Sequence, residues 1–292
     1  MTEVKTAVFP VAGFGTRFLP ATKATPKVLL PIVDRPLIQY AMDEAVAAGI
    51  ENFVFVTGRG NNAIEDYFDV SYELESTLRA RGDVEVAATL EKIRHKPGHV
   101  AYVRQIDPLG LGHAVWCARN VVGNEPFAVL LADELILSDP PSLVAMLEVH
   151  ATHGGNVVLV DEVPDEETSK YGIIEPAGEI NGAVEVDDIV EKPATDTAPS
   201  NLAAIGRYIL DPTILTILSE TATGAGGEIQ LTDALRASIG RVPFHAVRTS
   251  GRRFDCGSKS GFVDATIHVA LQRDDMRADL QRTIDGLASR ES

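Results

Sequence analysis

Only two cysteines, Cys117 and Cys256, occur in 292 residues. That is too few for a disulfide framework or a cysteine-held metal, and both fit a reducing cytoplasm as free thiols. No apolar run approaches the roughly 18 residues that a membrane helix needs, and no basic N-terminal segment precedes a long apolar core. A soluble, unprocessed cytoplasmic protein is expected. Positive charge is also scarce: 26 Lys and Arg stand against 42 Asp and Glu, and the net charge of -16 repels nucleic acid and anionic membrane. An anionic substrate must therefore be held by local cations and a metal, against the general field.

What remains is ordinary globular material. With 45% apolar and 23% charged residues, the chain can bury a substantial core as one large domain or two small ones. The stretch that organises it is 8–31, VFPVAGFGTRFLPATKATPKVLLP. Gly13 and Gly15 let the backbone turn tightly and approach a ligand with no Cβ in the way. Successive N–H groups in such a turn form an anion-binding concavity. Arg17 would meet the anion with a planar fork and Lys27 with a compact charge, and phosphate is the expected guest. Two familiar phosphate loops are excluded by spelling. Phe18 stands where the dinucleotide fingerprint G-x-G-x-x-G needs its third glycine, and no G-x-x-x-x-G-K-[ST] occurs.

Apolar runs at 6–9 and 53–57 read as buried strands, with Pro10 at the end of the first because it cannot donate to a ladder. Between them Pro36 and Gly49 bracket a helix, with Leu37, Tyr40, Ala41, Met42 and Ala45 near one side. Strand, helix, strand at this spacing is a parallel, right-handed unit of an α/β fold. Residues 58–97 break the rhythm: 65–79 is expected to be helical or mixed, and 91–96 a solvated charged face. Strands return at 100–104, 127–131 and 156–163, with helices over 115–122 and from 139 to Gly154 and Gly155. Beyond a soft boundary near Gly155, short strands at 171–175, 184–191 and 203–210 come with fewer helices. Asp211-Pro212 opens a short helix, 224–227 is a flexible lead and 242–248 a late strand. The last segment is charged and helical, with Met276, Leu280, Ile284 and Leu287 in one stripe that packs on its own subunit or on a partner.

Several residues are candidates for chemistry. Acids at the carboxyl end of a central strand in an open α/β sheet sit where ligands bind. Asp133 is thus a first candidate ligand for Mg2+, which prefers hard carboxylate oxygen; the bland alternative is a turn cap. Gln105 carries a donor and an acceptor that suit the edge of a pyrimidine, or else only water. Gly110 and Gly112 permit close backbone approach, and Gly172 bares backbone at a strand start. Glu191-Lys192-Pro193 sets an acceptor beside a cation. Neighbours on a regular strand face opposite ways, so both reach one ligand only if the chain bends there. Asp255 adds a second carboxylate beside a glycine turn, with Cys256 as a packing residue.

The spelling AGFGTRFLPATKATPK, followed in order by DPLGLGHAV, YGIIEP, VEKP, GEIQLTDA and DCG, resembles the sugar nucleotidyltransferases over nearly the whole chain. Within them it is most similar to the bacterial UTP:glucose-1-phosphate uridylyltransferases. The resemblance implies a Rossmann-like, three-layer α/β/α fold around a central mixed, mostly parallel sheet. It implies a catalytic domain over 1–265, with a nucleotide half to 155 and a sugar half from 156, and a C-terminal helical segment over 266–292. It implies that Ala12, Gly13, Gly15, Gln105 and Gly110 bind the nucleotide, and that Gly172, Glu191 and Lys192 bind the sugar phosphate. Asp133 and Asp255 would share Mg2+, while Arg17, Lys27 and Lys192 act on the phosphates. The substrates implied are UTP and glucose 1-phosphate. A homodimer or homotetramer is expected, with 58–97 as an insertion that supports subunit contacts.

Two departures from the family pattern stand out. Val28 replaces the Glu that usually follows Pro-Lys, which would weaken a preference for uracil. Ala132-Asp133-Glu134 replaces Gly-Asp-Asp. A thymidylyltransferase using dTTP, or a non-catalytic module that binds sugar nucleotides, are the rival readings.

Overall fold

The computed structural model describes residues 3–224 and 227–289. Residues 225 and 226 of the expected lead, and 290–292 of the last helical segment, lie outside them. β1 (Thr6–Pro10) runs into the glycine stretch, which folds as three short 3-10 turns before the two-residue strands β2 (Pro31–Ile32) and β3 (Arg35–Pro36). α1 (Leu37–Ala47) and β4 (Asn52–Thr57) complete the first crossover. The interruption that follows is helical: α2 (Asn62–Phe68), α3 (Tyr72–Arg81) and α4 (Val84–Glu91). The charged run after it is not wholly solvated. Arg94 turns back onto Glu75, whose side chain is only 3% exposed, and the His95 ring lies 4.8 Å from that of Phe53.

The first half continues through β5 (Val100–Arg104), α5 (Leu111–Cys117), α6 (Arg119–Val122) and β6 (Phe127–Leu130). After β7 (Glu134–Leu137) come α7 (Ser142–His153) and β8 (Asn156–Glu162). The second half comprises β9 (Gly172–Ile180), β10 (Ala183–Glu191), β11 (Leu202–Leu210), α8 (Thr213–Glu220), α9 (Leu231–Ser238), β12 (Phe244–Arg248) and β13 (Arg252–Asp255). α10 (Lys259–Gln272) and α11 (Arg277–Ala288) close the chain. α10 starts seven residues ahead of the expected segment because Ser258 caps it, its hydroxyl accepting from Gly261 N at 3.1 Å.

Nine strands form one sheet in the order β5-β4-β1-β6-β11-β8-β12-β10-β9. Its first four strands are mutually parallel, and β11 and β10 run against the rest, so the sheet is mixed. Alternate residues of a strand face opposite layers. Phe9 packs with Ile38 and Met42 of α1 and Leu143 and Met146 of α7, while Val8 packs with Val115 of α5, Ile214 of α8 and Leu235 of α9. Both apolar layers take residues from either side of Gly155, so the sheet crosses the expected boundary without a break. The sequence reading missed the small antiparallel pair of β7 and β13. Four-residue strands edged by charge carry too little period to be seen.

One charged side chain ties this framework together. Arg207 on β11 is 1% exposed. Its guanidinium donates to Glu44 Oε2 of α1 at 2.9 Å, and to the carbonyls of Leu131 at 2.9 Å, Gly206 at 3.2 Å and Glu134 at 2.9 Å. Removing one partner of such a pair strands a buried charge. Arg207→Met is therefore expected to lower the unfolding free energy by about 3–5 kcal/mol in a urea titration. A loss under about 1 kcal/mol would show that the pair does not hold the core.

Candidate active site

The glycine stretch earns its spelling by crowding. Gly15 has φ +61°, and a Cβ there would lie 3.0 Å from Lys27 Cβ and 3.1 Å from Thr22 Cγ2, so only glycine fits. Thr22 Oγ1 donates to Gly15 O at 2.8 Å and fixes the turn. Gly13, by contrast, faces open space. Ala12, Gly13, Gly15, Gln105 and Gly110 line one cavity of about 360 Å³. Gln105 Nε2 donates to Gly110 O at 3.1 Å and lies 3.1 Å from His113 Nδ1. Those contacts hold the amide so that Oε1 is left as its acceptor end.

The second glycine pair does something different from the first. A Cβ on Gly110 or Gly112 would meet the backbone of Ile229 at 2.9 Å and 2.8 Å. Close approach there is to the 228–230 loop, and Gly112 N donates to Ile229 O at 2.9 Å. Glu228 thereby joins the wall of the first cavity, while Gln230 and Thr232 line the second.

The second cavity, of about 630 Å³, contains Arg17, Asp133, Gly172, Glu191, Lys192 and Asp255. Leu111 lines both cavities, so they adjoin. The bend needed at Glu191-Lys192 occurs at Lys192 itself, which has φ +46°. A non-glycine residue held there stores strain of the kind that gathers at functional sites. Its backbone N donates to Tyr171 O at 2.9 Å, and its Nζ pairs with Glu191 Oε1 at 3.0 Å. Gly172 lies against the same acid, since a Cβ there would be 3.5 Å from Glu191 Oε2 and 3.1 Å from Thr232 Oγ1. Lys170, which the sequence reading missed, adds a further cation to the cleft.

The two candidate metal acids converge. A methyl built on Gly257 would lie 2.7 Å from Asp255 Oδ1, 3.4 Å from Asp133 Oδ2 and 3.5 Å from Arg17 Nη1. Lys27 lines neither cavity; its ammonium sits 2.5 Å from Asp133 Oδ2, so the acid pair already draws a cation. Among the described residues no group of three His, Cys, Asp or Glu gathers to hold a metal. A divalent cation on Asp133 and Asp255 would need ligand oxygens to complete its shell, as Mg2+ usually does.

The two departures in the sequence are both accommodated. Val28 is buried in the α1-side core and lines neither cavity. Glu134 reaches Arg253 of β13 in a fork, Oε2 to Nε at 2.8 Å and Oε1 to Nη2 at 3.0 Å. Burial pushes its carboxyl up to about 7, with Asp133 and Asp255 adding to the rise and Arg253 opposing it. Burial likewise pushes the Cys256 thiol up to about 12, as suits a residue that only packs.

Comparison with known proteins bears on the family of the chain. The family model described as "Nucleotidyl transferase" matches residues 7–271. A UTP–glucose-1-phosphate uridylyltransferase of Komagataeibacter xylinus is 52% identical over 88% of this chain and 90% of its own. One of Bacillus subtilis is 48% identical over 100% and 99%. A crystal structure of a UDP-glucose pyrophosphorylase complexed with UDP-glucose superposes with a TM-score of 0.83 at 45% identity, covering 92% of this chain and 100% of the other.

Gly257→Ala, which sets a methyl within 3.4 Å of both carboxylates, is expected to weaken Mn2+ binding by about ten-fold or more, as perturbed metal surroundings commonly do. The free-ion electron paramagnetic resonance signal measures it, and an unchanged affinity would remove this acid pair as a cation site.

Proposed function

The chain belongs to the nucleotidyl transferase family, in its UTP–glucose-1-phosphate uridylyltransferase branch, and on that premise we propose how its two adjoining cavities serve the reaction. The enzyme joins UTP to glucose 1-phosphate and releases UDP-glucose and pyrophosphate. A phosphate oxygen of the sugar phosphate attacks the α-phosphorus of UTP in line, a displacement that asks a protein for positioning and charge stabilisation more than for covalent chemistry. The reading is supported above all by the approach of Asp133, Asp255 and Arg17 to one point beside Gly257, in a cleft that adjoins the glycine-lined cavity.

In this reading Gln105 Oε1 accepts from the N3–H of uracil, and the backbone at Ala12, Gly13, Gly15 and Gly110 lies against the nucleotide. Arg17 faces the phosphates, and Lys27, by neutralising Asp133, limits the repulsion that the triphosphate meets. Lys192 holds the attacking phosphate and Glu191 accepts from a glucose hydroxyl beside Gly172. Asp133 and Asp255 fit Mg2+ by the hardness of their oxygens, and when bound that ion would screen phosphate charge as a Lewis acid. No protein nucleophile is required. The reaction belongs in the cytoplasm on this reading, and no described helix is long and apolar enough to cross a membrane.

Pyrophosphate release from a panel crossing glucose, galactose and mannose 1-phosphates with UTP and dTTP tests the substrate assignment. Glucose 1-phosphate with UTP should turn over fastest, and faster turnover with dTTP would overturn it. Lys192 is half-exposed, so Lys192→Ala should leave the fold intact. It is expected to lower kcat by roughly a hundredfold, the loss of about 3 kcal/mol of transition-state stabilisation. Near-normal turnover would remove Lys192 from the mechanism.

A further inference from the structure

β7 and β13, the short strand pair hidden in the sequence, do more than carry two acids. Asp255 is the register partner of Glu134, and Arg253 lies on the same face two residues before Asp255. The Arg253 side chain is only 9% exposed and that of Glu134 13%. Both oxygens of Glu134 are taken by the guanidinium, at 2.8 and 3.0 Å. The same guanidinium lies over a ring: Arg253 Cζ is 4.6 Å from the centroid of Tyr171. Tyr171 in turn accepts, through its carbonyl, the backbone N–H of Lys192 at 2.9 Å. Tyr171 and Lys192 adjoin one end of the β9–β10 ladder, where Gly172 is paired with Glu191.

The longer acid has a prepared place. Gly206 has φ +74°, and a Cβ on it would stand 3.0 Å from Glu134 Cγ, so the missing side chain of β11 makes room for the extra methylene. An aspartate at 134 would be shorter by that methylene and could not keep both contacts with Arg253 in the same place.

We propose that Glu134, Arg253 and Tyr171 form a positioning clamp for the sugar phosphate: the ion pair beside Asp133 and Asp255 fixes the Tyr171 ring, and Tyr171 fixes the strained Lys192. None of the three needs to touch the substrate. The clamp rests on the functional reading above for its ligand. It joins the acids of one half of the molecule to the sugar-binding loops of the other, so its loss should be felt by the sugar end of a ligand and hardly at all by the nucleotide end.

Tyr171→Leu leaves the buried ion pair in place and tests this without threatening the fold. The dissociation constants of UDP-glucose and of UTP, measured by calorimetry, should separate: about ten-fold weaker for UDP-glucose, from loss of the stack and of Lys192 placement, and within two-fold for UTP. KM for glucose 1-phosphate should rise by a similar factor while KM for UTP stays put. Glu134→Asp and Arg253→Lys, which keep the charges but break the fork, should shift the same pair of constants in the same direction, and Tyr171→Phe should recover most of the loss. Equal weakening of both ligands, or no change in either, would overturn the clamp. A wild-type protein that binds UDP-glucose but releases no pyrophosphate from UTP and glucose 1-phosphate would overturn the assigned reaction instead, with the clamp still read from affinity.

Discussion

A buried guanidinium is the constraint on which the site depends. The chain leaves β6 at Leu130 and must turn before β7 to present Asp133, and the carbonyls on either side of that turn, Leu131 and Glu134, both accept from Arg207. A turn lying at the centre of a sheet cannot give its backbone polar groups to water. Arg207 satisfies them from the neighbouring strand, and Glu44 on α1 balances its charge at 2.9 Å. Such a pair adds little to stability compared with apolar packing, but it fixes one geometry, because any other leaves a charge unpaired in low dielectric.

Around that turn the site charges are matched singly. Asp133 has Lys27, Glu134 has Arg253 and Glu191 has Lys192. In a chain with net charge -16, this pairing answers the difficulty that composition raises: a polyanionic substrate enters a place where Asp133, Glu134 and Glu191 already have a cation beside them. The pairs differ in what they can give up. Lys192 is half-exposed and free to turn to a ligand, whereas Arg253 is buried, forked and stacked, and belongs to the framework.

The glycines divide in the same way. Gly15 and Gly206 make room for side chains of this chain, Gly110 and Gly112 for the 228–230 loop, and of these five Gly13 alone opens onto empty space. Reading each glycine as a place for ligand would overcount the binding surface. The 228–230 loop seated on Gly110 and Gly112 contributes to both cavities, and through it the late part of the chain reaches the nucleotide side.

Much of this was legible in the residues alone. Apolar runs specified β1, β4, β5, β6, β8 and β11 to within a residue or two, because strands buried on both faces, as all of these but the half-buried β5 are, leave a strong local signal. The glycine and cation spelling of 8–31, and the acids and cations at 133, 191, 192 and 255, marked the chemistry because so few residue types can hold phosphate or a hard cation. Local pattern could not supply what depends on distant chain meeting distant chain. The β7–β13 pair, the fork of Glu134 with Arg253, and Arg207 beneath the turn arise only when residues more than seventy positions apart become neighbours. The bend that lets Glu191 and Lys192 share a cleft lay one residue before the proline that advertised it, at a lysine whose conformation no local preference favours. Sequence determined which groups the site would contain; packing decided which of them face a ligand and which hold one another.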